Sequence, residues 1–159
     1  MDSVTVRAAG RADMPALSAI FRRASLSNEG DRPNLLSHPE VLVYDDEWVR
    51  AGHTRLAEID GMVVGFITGL PHGDFFEVED LFTDPDWMRR GVATALVHDL
   101  VRRAAAQGAS RLEVTGNFHA RAFYESVGFG AGEIVPVRWD TALRMRLTID
   151  ERTDEQRRS

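Results

Sequence analysis

The chain has 159 residues and a formal net charge of −6, with 43% hydrophobic and 28% charged residues, which is typical of one soluble globular domain. It contains no cysteine, so disulfides, thiolate metal ligands and a cysteine nucleophile are excluded. Its negative charge argues against nucleic acid as a partner, because phosphate binding needs a positive face, and it suits both a cationic substrate and plain solubility.

The first third of the chain predicts a strand followed by helical segments. Residues 4–8 alternate and include β-branched side chains, which indicates a strand. Asp13 is a residue type that caps helices, and apolar residues then recur at helical spacing over 14–24. The stretch 25–38 carries Asn, Gly, Asp and Pro and is expected to be a loop. A second, poorly defined helical segment is predicted over 39–51.

The middle of the chain predicts three strands. Residues 54–59 and 62–70 are strand-like and are joined by Asp60-Gly61, a dipeptide that favours two-residue hairpin turns. A third long strand is expected over 75–83. The following predicted elements are a helix over 90–107 that ends at Gly108, a strand over 111–115, a helix over 117–127, and a closing antiparallel pair near 134–139 and 143–149. A strand–helix–strand unit between other strands predicts a mixed α/β sheet covered by helices.

The segment that leads into the long helix, residues 80–94, is a candidate anion site. It combines a strand end, a turn that contains Pro85, and a helix start whose first residues include Gly91 and Ala93. A missing side chain lets backbone N–H groups approach an anion closely, and the helix dipole adds positive charge. Thr94 could add a hydroxyl group, and Arg89 and Arg90 could add formal charge. An ordinary tight turn with solvated arginines fits the same pattern.

Two motifs in this chain resemble those of one enzyme family. Residues 88–93, MRRGVA, resemble the pyrophosphate signature Gln/Arg-x-x-Gly-x-Gly/Ala of the GNAT superfamily of N-acetyltransferases. Residues 117–129, NFHARAFYESVGF, are similar to that family's Asn-x-x-Ala-x-x-Phe-Tyr-Glu-x-x-Gly-Phe block. The similarity extends over about residues 4–147. Met88 departs from the signature, which usually begins with Gln or Arg. This departure affects a side-chain contact with the pyrophosphate and does not affect the backbone contacts.

The resemblance implies the acyl-CoA N-acyltransferase fold, a mixed, mostly antiparallel sheet of about six to seven strands flanked by about four helices. It also implies acetyl-CoA as cosubstrate, without a metal, and the five histidines show no metal-ligand spacing. The backbone of 81–83 would pair with the pantetheine arm, the amides of 88–94 would hold the pyrophosphate, and Asn117 would bind pantetheine or cap its helix. The implied cofactor contacts are Leu81, Phe82, Thr83, Met88, Arg89, Arg90, Gly91, Val92, Ala93, Thr94, Asn117, Ala120, Phe123 and Tyr124.

The resemblance also suggests catalytic residues. Tyr124 stands where the family often has the acid that protonates the departing thiolate, although a tyrosine packed in the core fits the same position. Glu77 and Glu79 lie two residues apart on one strand and share a face, whereas Asp80 faces the other way. Glu77 precedes the signature glycine by fourteen residues, where some relatives have a catalytic glutamate. Either glutamate, or water, could accept the proton of the amine, and the carboxylates could simply bind a cationic substrate.

These observations predict an enzyme that transfers the acetyl group of acetyl-CoA to an amine of a small molecule, by direct attack in a ternary complex. A non-catalytic acyl-CoA sensor, and an acetyltransferase acting on a protein N-terminus or lysine, remain alternatives. We expect one domain over 1–150 and a polar, disordered tail over 151–159. Neither a membrane helix nor a secretion signal is recognisable, so we expect a cytoplasmic protein without a membrane partner. A homodimer remains open.

Overall fold

A computed structural model describes residues 3–27, 32–38, 40, 43–116, 118–137 and 141–149. The strands are β1 (Thr5–Ala8), β2 (Thr54–Ile59), β3 (Met62–His72), β4 (Phe75–Thr83), β5 (Arg111–Gly116), β6 (Gly130–Pro136) and β7 (Thr141–Thr148). The helices are α1 (Met14–Leu26), α2 (Arg32–Ser37), α3 (Glu47–Arg50), α4 (Val92–Ala106) and α5 (Arg121–Ser126), and short 3₁₀ segments lie at Arg11–Asp13, Pro85–Trp87 and Phe118–Ala120. None of these helices is long and apolar enough to cross a membrane.

The seven described strands form one sheet in the order β1-β2-β3-β4-β5-β7-β6. The pairs β1–β2, β2–β3, β5–β7 and β6–β7 are antiparallel. β4 and β5 are parallel, and their pairing joins residues 75–78 to residues 111–114. Parallel neighbours need a long crossover connection, which α4 supplies between these two strands. The predicted mixed, mostly antiparallel sheet is therefore confirmed.

The chain divides into two compact units. The first unit contains residues 1–68 and 80–96, and the second contains 69–79 and 97–159. In the first unit, a buried cluster is built from side chains of α1, α3, β2 and β3: Leu17, Ile20, Val49, Leu56 and Phe66. In the second unit, buried side chains come from α4, β5, β7 and the segment after α5; they include Leu100, Leu112, Val114, Phe129 and Met145. Each unit thus has apolar side chains removed from water.

Several elements differ from the sequence-based expectation. The stretch expected to be a loop contains α2, whose second residue, Pro33, suits the first turn of a helix because its missing N–H is not needed there. Of the helix predicted over 39–51, the described part is helical only over Glu47–Arg50. β6 begins at Gly130, earlier than predicted, because pairing with β7 compensates for the low strand preference of glycine. The helix predicted from residue 117 is a 3₁₀ segment followed by α5. The predicted tail and residue 117 lie outside the described residues.

β3 is buried at every residue from Val64 to Gly69, so close packing on this strand constrains side-chain size. A Cβ atom on Gly65 would lie 2.8 Å from the backbone oxygen of Phe82 and 2.8 Å from Cγ1 of Val92. Backbone cannot yield as a flexible side chain can, so β3 has room only for glycine at this position.

We therefore predict that Gly65→Ala lowers the free energy of unfolding by about 1–3 kcal/mol, because the added methyl group overpacks the region beneath β4 and α4. Gly130→Ala is the control, since a Cβ atom there meets nothing within 4 Å. Urea denaturation of both variants measures the difference. Equal stability of the two variants would contradict the packing described for β3.

Candidate functional site

The connection between β4 and α4 is folded around Asp84. Its backbone N–H donates to the carbonyl oxygen of Val64 on β3 at 2.8 Å, which fixes the end of β4. Its carboxylate accepts a hydrogen bond from the backbone N–H of Asp86 at 3.0 Å, and its carbonyl oxygen accepts one from Trp87 N at 2.8 Å. Asp84 thereby caps the short 3₁₀ segment that begins at Pro85. The sequence prediction of a proline-containing turn here is confirmed.

An arginine from α1 holds the same connection. The guanidinium group of Arg23 forms an ion pair with the buried carboxylate of Asp84. The same Nη2 atom lies 3.1 Å from the exposed carboxylate of Asp86. Because a buried carboxylate is costly without a partner, Arg23 both neutralises Asp84 and ties the connection to α1.

The segment before α4 has unusual backbone geometry. Arg89 and Gly91 both have positive φ, at 65° and 79°. Glycine adopts this region freely, but for arginine the left-handed conformation costs about 1–2 kcal/mol. Both arginines of the segment are exposed, and the guanidinium carbon of Arg90 lies 5.0 Å from the centre of the Trp87 ring. That contact is within cation–π range and orients Arg90.

The first turn of α4 presents backbone donors. The N–H of Ala95 donates to the carbonyl oxygen of Gly91 at 3.0 Å, which is the first helical hydrogen bond of α4. The N–H groups up to Thr94 therefore have no acceptor within the helix. Val92 is buried and anchors this turn, Ala93 is half-buried, and Thr94 is exposed. Free N–H groups, the helix dipole and nearby arginines together form a site suited to a phosphate group.

The end of β4 leads directly into this connection. β4 pairs with β5 through residues 75–78 and then continues to Thr83. The ring of Phe82 packs against Phe21 and Phe66, with ring centres 5.2 Å and 5.5 Å apart. Because the Phe82 side chain is engaged in this packing, its backbone is the part that could serve a ligand. The structure thus places Leu81, Phe82, Thr83 and residues 88–94 consecutively within the first unit.

The first unit also contains a series of polar side chains that are linked by hydrogen bonds. The hydroxyl of Tyr44 donates to Oδ2 of Asp80 at 2.9 Å and lies 3.4 Å from Oγ1 of Thr68. The hydroxyls of Thr54 and Thr68 are 2.8 Å apart. Burial raises the pKa of Asp80 above its ordinary value, against the effect of hydrogen bonds from Tyr44 and Thr68. Burial, followed by the charge of Asp80, also raises the pKa of Tyr44, so its phenol stays protonated.

In the second unit, Glu77 belongs to an ion-pair network. Arg144 contacts both of its carboxylate oxygens, at 2.8 Å and 3.2 Å, and its Nε atom lies 2.9 Å from Glu113. Arg111 completes the network with a 2.7 Å hydrogen bond to Glu113. Burial opposes the charge of Glu113, but hydrogen bonds from Arg111 and Arg144 and their charges outweigh it and lower the pKa of this carboxyl. Glu79, the other predicted proton acceptor, is exposed.

The second unit also contains the predicted acid. Tyr124, on α5, packs edge-on against Phe123 and Phe129, with ring centres 5.2 Å and 5.6 Å apart. A Cβ atom on Gly116 would lie 2.8 Å from the Tyr124 ring, so glycine there gives the ring its space. Ala120 ends the preceding 3₁₀ segment and is half-buried.

The structure therefore groups the predicted phosphate and pantetheine contacts of residues 81–94 in one unit. The other predicted site residues belong to the second unit: Glu77, Glu79, Ala120, Phe123 and Tyr124. Asn117 lies outside the described residues. Sequence reasoning assigned no role to Tyr44 or Asp80; the available signal was a carboxylate at position 80, on the strand face that also carries Val78 and Phe82.

The Glu77–Arg144–Glu113 network gives a prediction for stability. Arg144→Gln removes the arginine contact of Glu77 and one of the arginine contacts of Glu113. The two glutamates lie on the neighbouring strands β4 and β5. The free energy of unfolding should therefore fall by about 2 kcal/mol at pH 7. A carboxyl with a lowered pKa stabilises the fold above its unfolded pKa, and this contribution is lost as the pH falls through the folded pKa. The part of the penalty that comes from Glu113 should therefore shrink towards pH 4, as protonation removes the charge of its carboxylate.

Urea denaturation at the two pH values tests this prediction. Arg121→Gln removes an arginine from a helical pair with Glu125 in which the arginine side chain is 66% exposed, and it should cost no more than about 0.5 kcal/mol. Equal losses for the two arginines, or a penalty that grows in acid, would be inconsistent with the network.

Among the described residues, no group of three or more histidine and acidic side chains is arranged to hold a metal ion.

The family model for the acetyltransferase (GNAT) family matches residues 19–129. YafP of Escherichia coli (strain K12), described as an uncharacterized N-acetyltransferase, is 29% identical over 134 residues, which cover 81% of this chain and 83% of that protein.

Solved structures show the same fold. The PaiA N-acetyltransferase of Thermoplasma acidophilum, solved with coenzyme A, has a TM-score of 0.70 at 14% identity, covering 92% of this chain and 99% of that chain. YncA of Salmonella typhimurium, solved with acetyl-CoA, has a TM-score of 0.67 at 22% identity, covering 94% of this chain and 95% of that chain. The fold inferred from the two sequence motifs is confirmed. The family model spans more than half of the length of this chain. The chain therefore belongs to the GNAT acetyltransferase family and is an acyltransferase.

Proposed function

We propose that the chain binds acetyl-CoA and transfers its acetyl group to an amine of a small molecule, which attacks the thioester directly. The observation that supports this proposal is the start of α4, where a left-handed arginine and a left-handed glycine precede backbone N–H groups that have no acceptor within the helix, an arrangement suited to an anion such as pyrophosphate. The structures of the PaiA enzyme with coenzyme A and of YncA with acetyl-CoA support the choice of ligand.

In this proposal, backbone groups do most of the cofactor binding. The amides of residues 88–94 bind the pyrophosphate, and the exposed guanidinium groups of Arg89 and Arg90 add charge. The backbone of residues 81–83 pairs with the pantetheine arm as a neighbouring strand would. Asn117, Ala120 and Phe123 complete the contacts. Met88, 50% exposed, contributes its backbone in place of the polar side chain usual at this position.

Tyr124 is the proposed general acid. An amine that attacks a thioester displaces a thiolate, and a phenol within reach can supply the proton that the sulfur needs. The edge-on packing against Phe123 and Phe129 holds the ring in place and so fixes the position of its hydroxyl oxygen.

The proton lost by the amine needs an acceptor. Both oxygens of Glu77 contact Arg144, so Glu77 would have to give up that contact before taking a proton. Glu79 is exposed on the same strand. We therefore place water ahead of Glu77 in this role and keep Glu79 as the other carboxylate candidate.

A screen for thiol release tests the activity and its two alternatives. The protein is incubated with acetyl-CoA and a panel of small primary and secondary amines, and separately with peptides that carry a free N-terminus or a lysine. Release of free coenzyme A with a small amine supports the proposal. Release with peptides alone would indicate a protein acceptor, and binding of acetyl-CoA without release under either condition would indicate a sensor.

Acetyl-CoA should stabilise the fold. At about 100 times its Kd, a ligand adds about 2.7 kcal/mol of stability, which for a chain of this size raises Tm by several degrees. Gly91→Asp should abolish this rise, because a carboxylate then stands at the phosphate site. Gly73→Asp is the matched control: its φ is also positive, at 69°, and a Cβ atom there meets nothing within 4 Å. Thermal denaturation measures the rise in Tm. If acetyl-CoA raises the Tm of Gly91→Asp as much as that of the wild type, the cofactor does not bind at the start of α4.

Tyr124→Phe separates chemistry from binding. The ring and its packing stay, but the proton donor is lost. General acids typically contribute about 10²–10⁴ in rate, and water can replace part of that, so kcat should fall by at least tenfold. The Kd of acetyl-CoA should change little, because the hydroxyl matters most as charge develops on sulfur. Steady-state kinetics and calorimetry measure the two quantities. An unchanged kcat with chemistry shown to limit the rate would assign Tyr124 to packing, and loss of binding would make it a cofactor contact.

A further inference from the structure

Asp80 differs from the other enclosed carboxylates of this protein. Within the described ranges, each of the other buried or half-buried carboxylates has an arginine nitrogen within 4 Å: Asp13, Asp46, Glu58, Glu77, Asp84, Asp99 and Glu113. Asp80 is half-buried, and its partners in the same part of the chain are the hydroxyls of Tyr44 and Thr68. Among the residues that the structure describes, the enclosed acids are thus paired with an arginine, whereas Asp80 is paired with neutral donors.

The hydroxyl donors are themselves fixed. Tyr44 donates to Oδ2 of Asp80 at 2.9 Å, and Thr54 and Thr68 bond to each other at 2.8 Å. Thr54 and Thr68 are buried on β2 and β3, which pair with each other at these two residues. The carboxylate is thus held in a defined orientation, as a recognition group must be.

Aromatic rings pack around Tyr44, whose hydroxyl donates to this carboxylate. Tyr44 lies 5.3 Å from Phe21 and 5.1 Å from Phe66 between ring centres, and Phe66 lies 5.5 Å from Phe82. Phe82 follows Asp80 by two residues on β4 and so shares its face. Aromatic faces attract cations, and an ammonium ion next to a carboxylate gains from both interactions.

Burial raises the pKa of Asp80, which means that the surroundings oppose its charge. A cation beside the carboxylate would offset that cost. The position along the chain also matters: Asp80 directly precedes residues 81–83, the strand segment assigned above to the pantetheine arm.

We propose that the Asp80 carboxylate binds the ammonium group of the acceptor substrate, with Tyr44 orienting it and the half-buried rings of Phe21 and Phe82 forming the apolar wall beside it. This inference rests on the proposed function and narrows the acceptor to an aliphatic amine that is cationic at neutral pH. A neutral acceptor of the same shape lacks the charge that Asp80 recognises.

The test uses the full chain with n-butylammonium chloride as the probe and 1-butanol as its neutral counterpart of the same size. The chain has only two tyrosines, so ring-labelled tyrosine gives two sets of NMR signals, and Tyr44→Phe identifies those of Tyr44. We expect n-butylammonium to shift the Tyr44 signals saturably, and neither 1-butanol nor an equal concentration of sodium chloride to do so. A shift of equal size with 1-butanol, or no shift with the ammonium ion, overturns the proposal without recourse to any variant at Asp80.

Asp80→Asn keeps the shape and removes the charge, and we expect it to weaken n-butylammonium binding by about tenfold or more. Asp60→Asn is the control; it makes the same chemical change at an exposed turn residue whose φ of 52° asparagine also accepts, and its affinity should equal that of the wild type. Equal affinities in the two variants would overturn the assignment.

Calorimetry with acetyl-CoA on the same samples separates this proposal from the one on which it rests. If acetyl-CoA binds and n-butylammonium does not, the cofactor site stands and the amine site is wrong. If n-butylammonium binds through Asp80 and acetyl-CoA does not bind, the carboxylate recognises cations but the proposed transfer reaction fails.

Discussion

The contacts of Asp84 are the constraint on which the candidate site depends. Its N–H, carbonyl oxygen and carboxylate are all engaged, with β3, with the following 3₁₀ segment and with Arg23 of α1. These contacts let the chain leave β4, turn sharply and begin α4, whose first N–H groups have no acceptor within the helix. Anion recognition by backbone groups requires that they be fixed before the ligand arrives, because ordering them afterwards would subtract from affinity.

The carboxylates of β4 show how one strand can serve two purposes. Glu77 faces an arginine network that joins β4, β5 and β7, where its charge contributes to stability. Asp80 has the opposite orientation, and its partners are the hydroxyls of Tyr44 and Thr68. Two acids three residues apart thus have different electrostatic surroundings. Chemical type alone does not distinguish them, since what differs is the charge that the fold places opposite each one.

The sequence predicted most of the strands, α1, α4 and the turn around Pro85, because each follows from local periodicity or from turn residues. It missed α2, since Pro33 was taken as a loop residue although proline also suits a helix start. It also missed the contact of Tyr44 with Asp80 and that of Arg144 with Glu77. These pairs are 36 and 67 residues apart in the chain, so no local pattern announces them. For the candidate site, the backbone donors were predictable and the partners of the acids were not.

The left-handed conformation of Arg89 has a consequence for protein engineering. Glycine at this position would relieve the backbone strain, by about 1 kcal/mol if the loop is otherwise unchanged. It would also delete a positive charge next to the proposed phosphate site. Selection for heat resistance alone would therefore favour a sequence that holds its cosubstrate less tightly, which is the familiar opposition between stability and activity, located here at one residue.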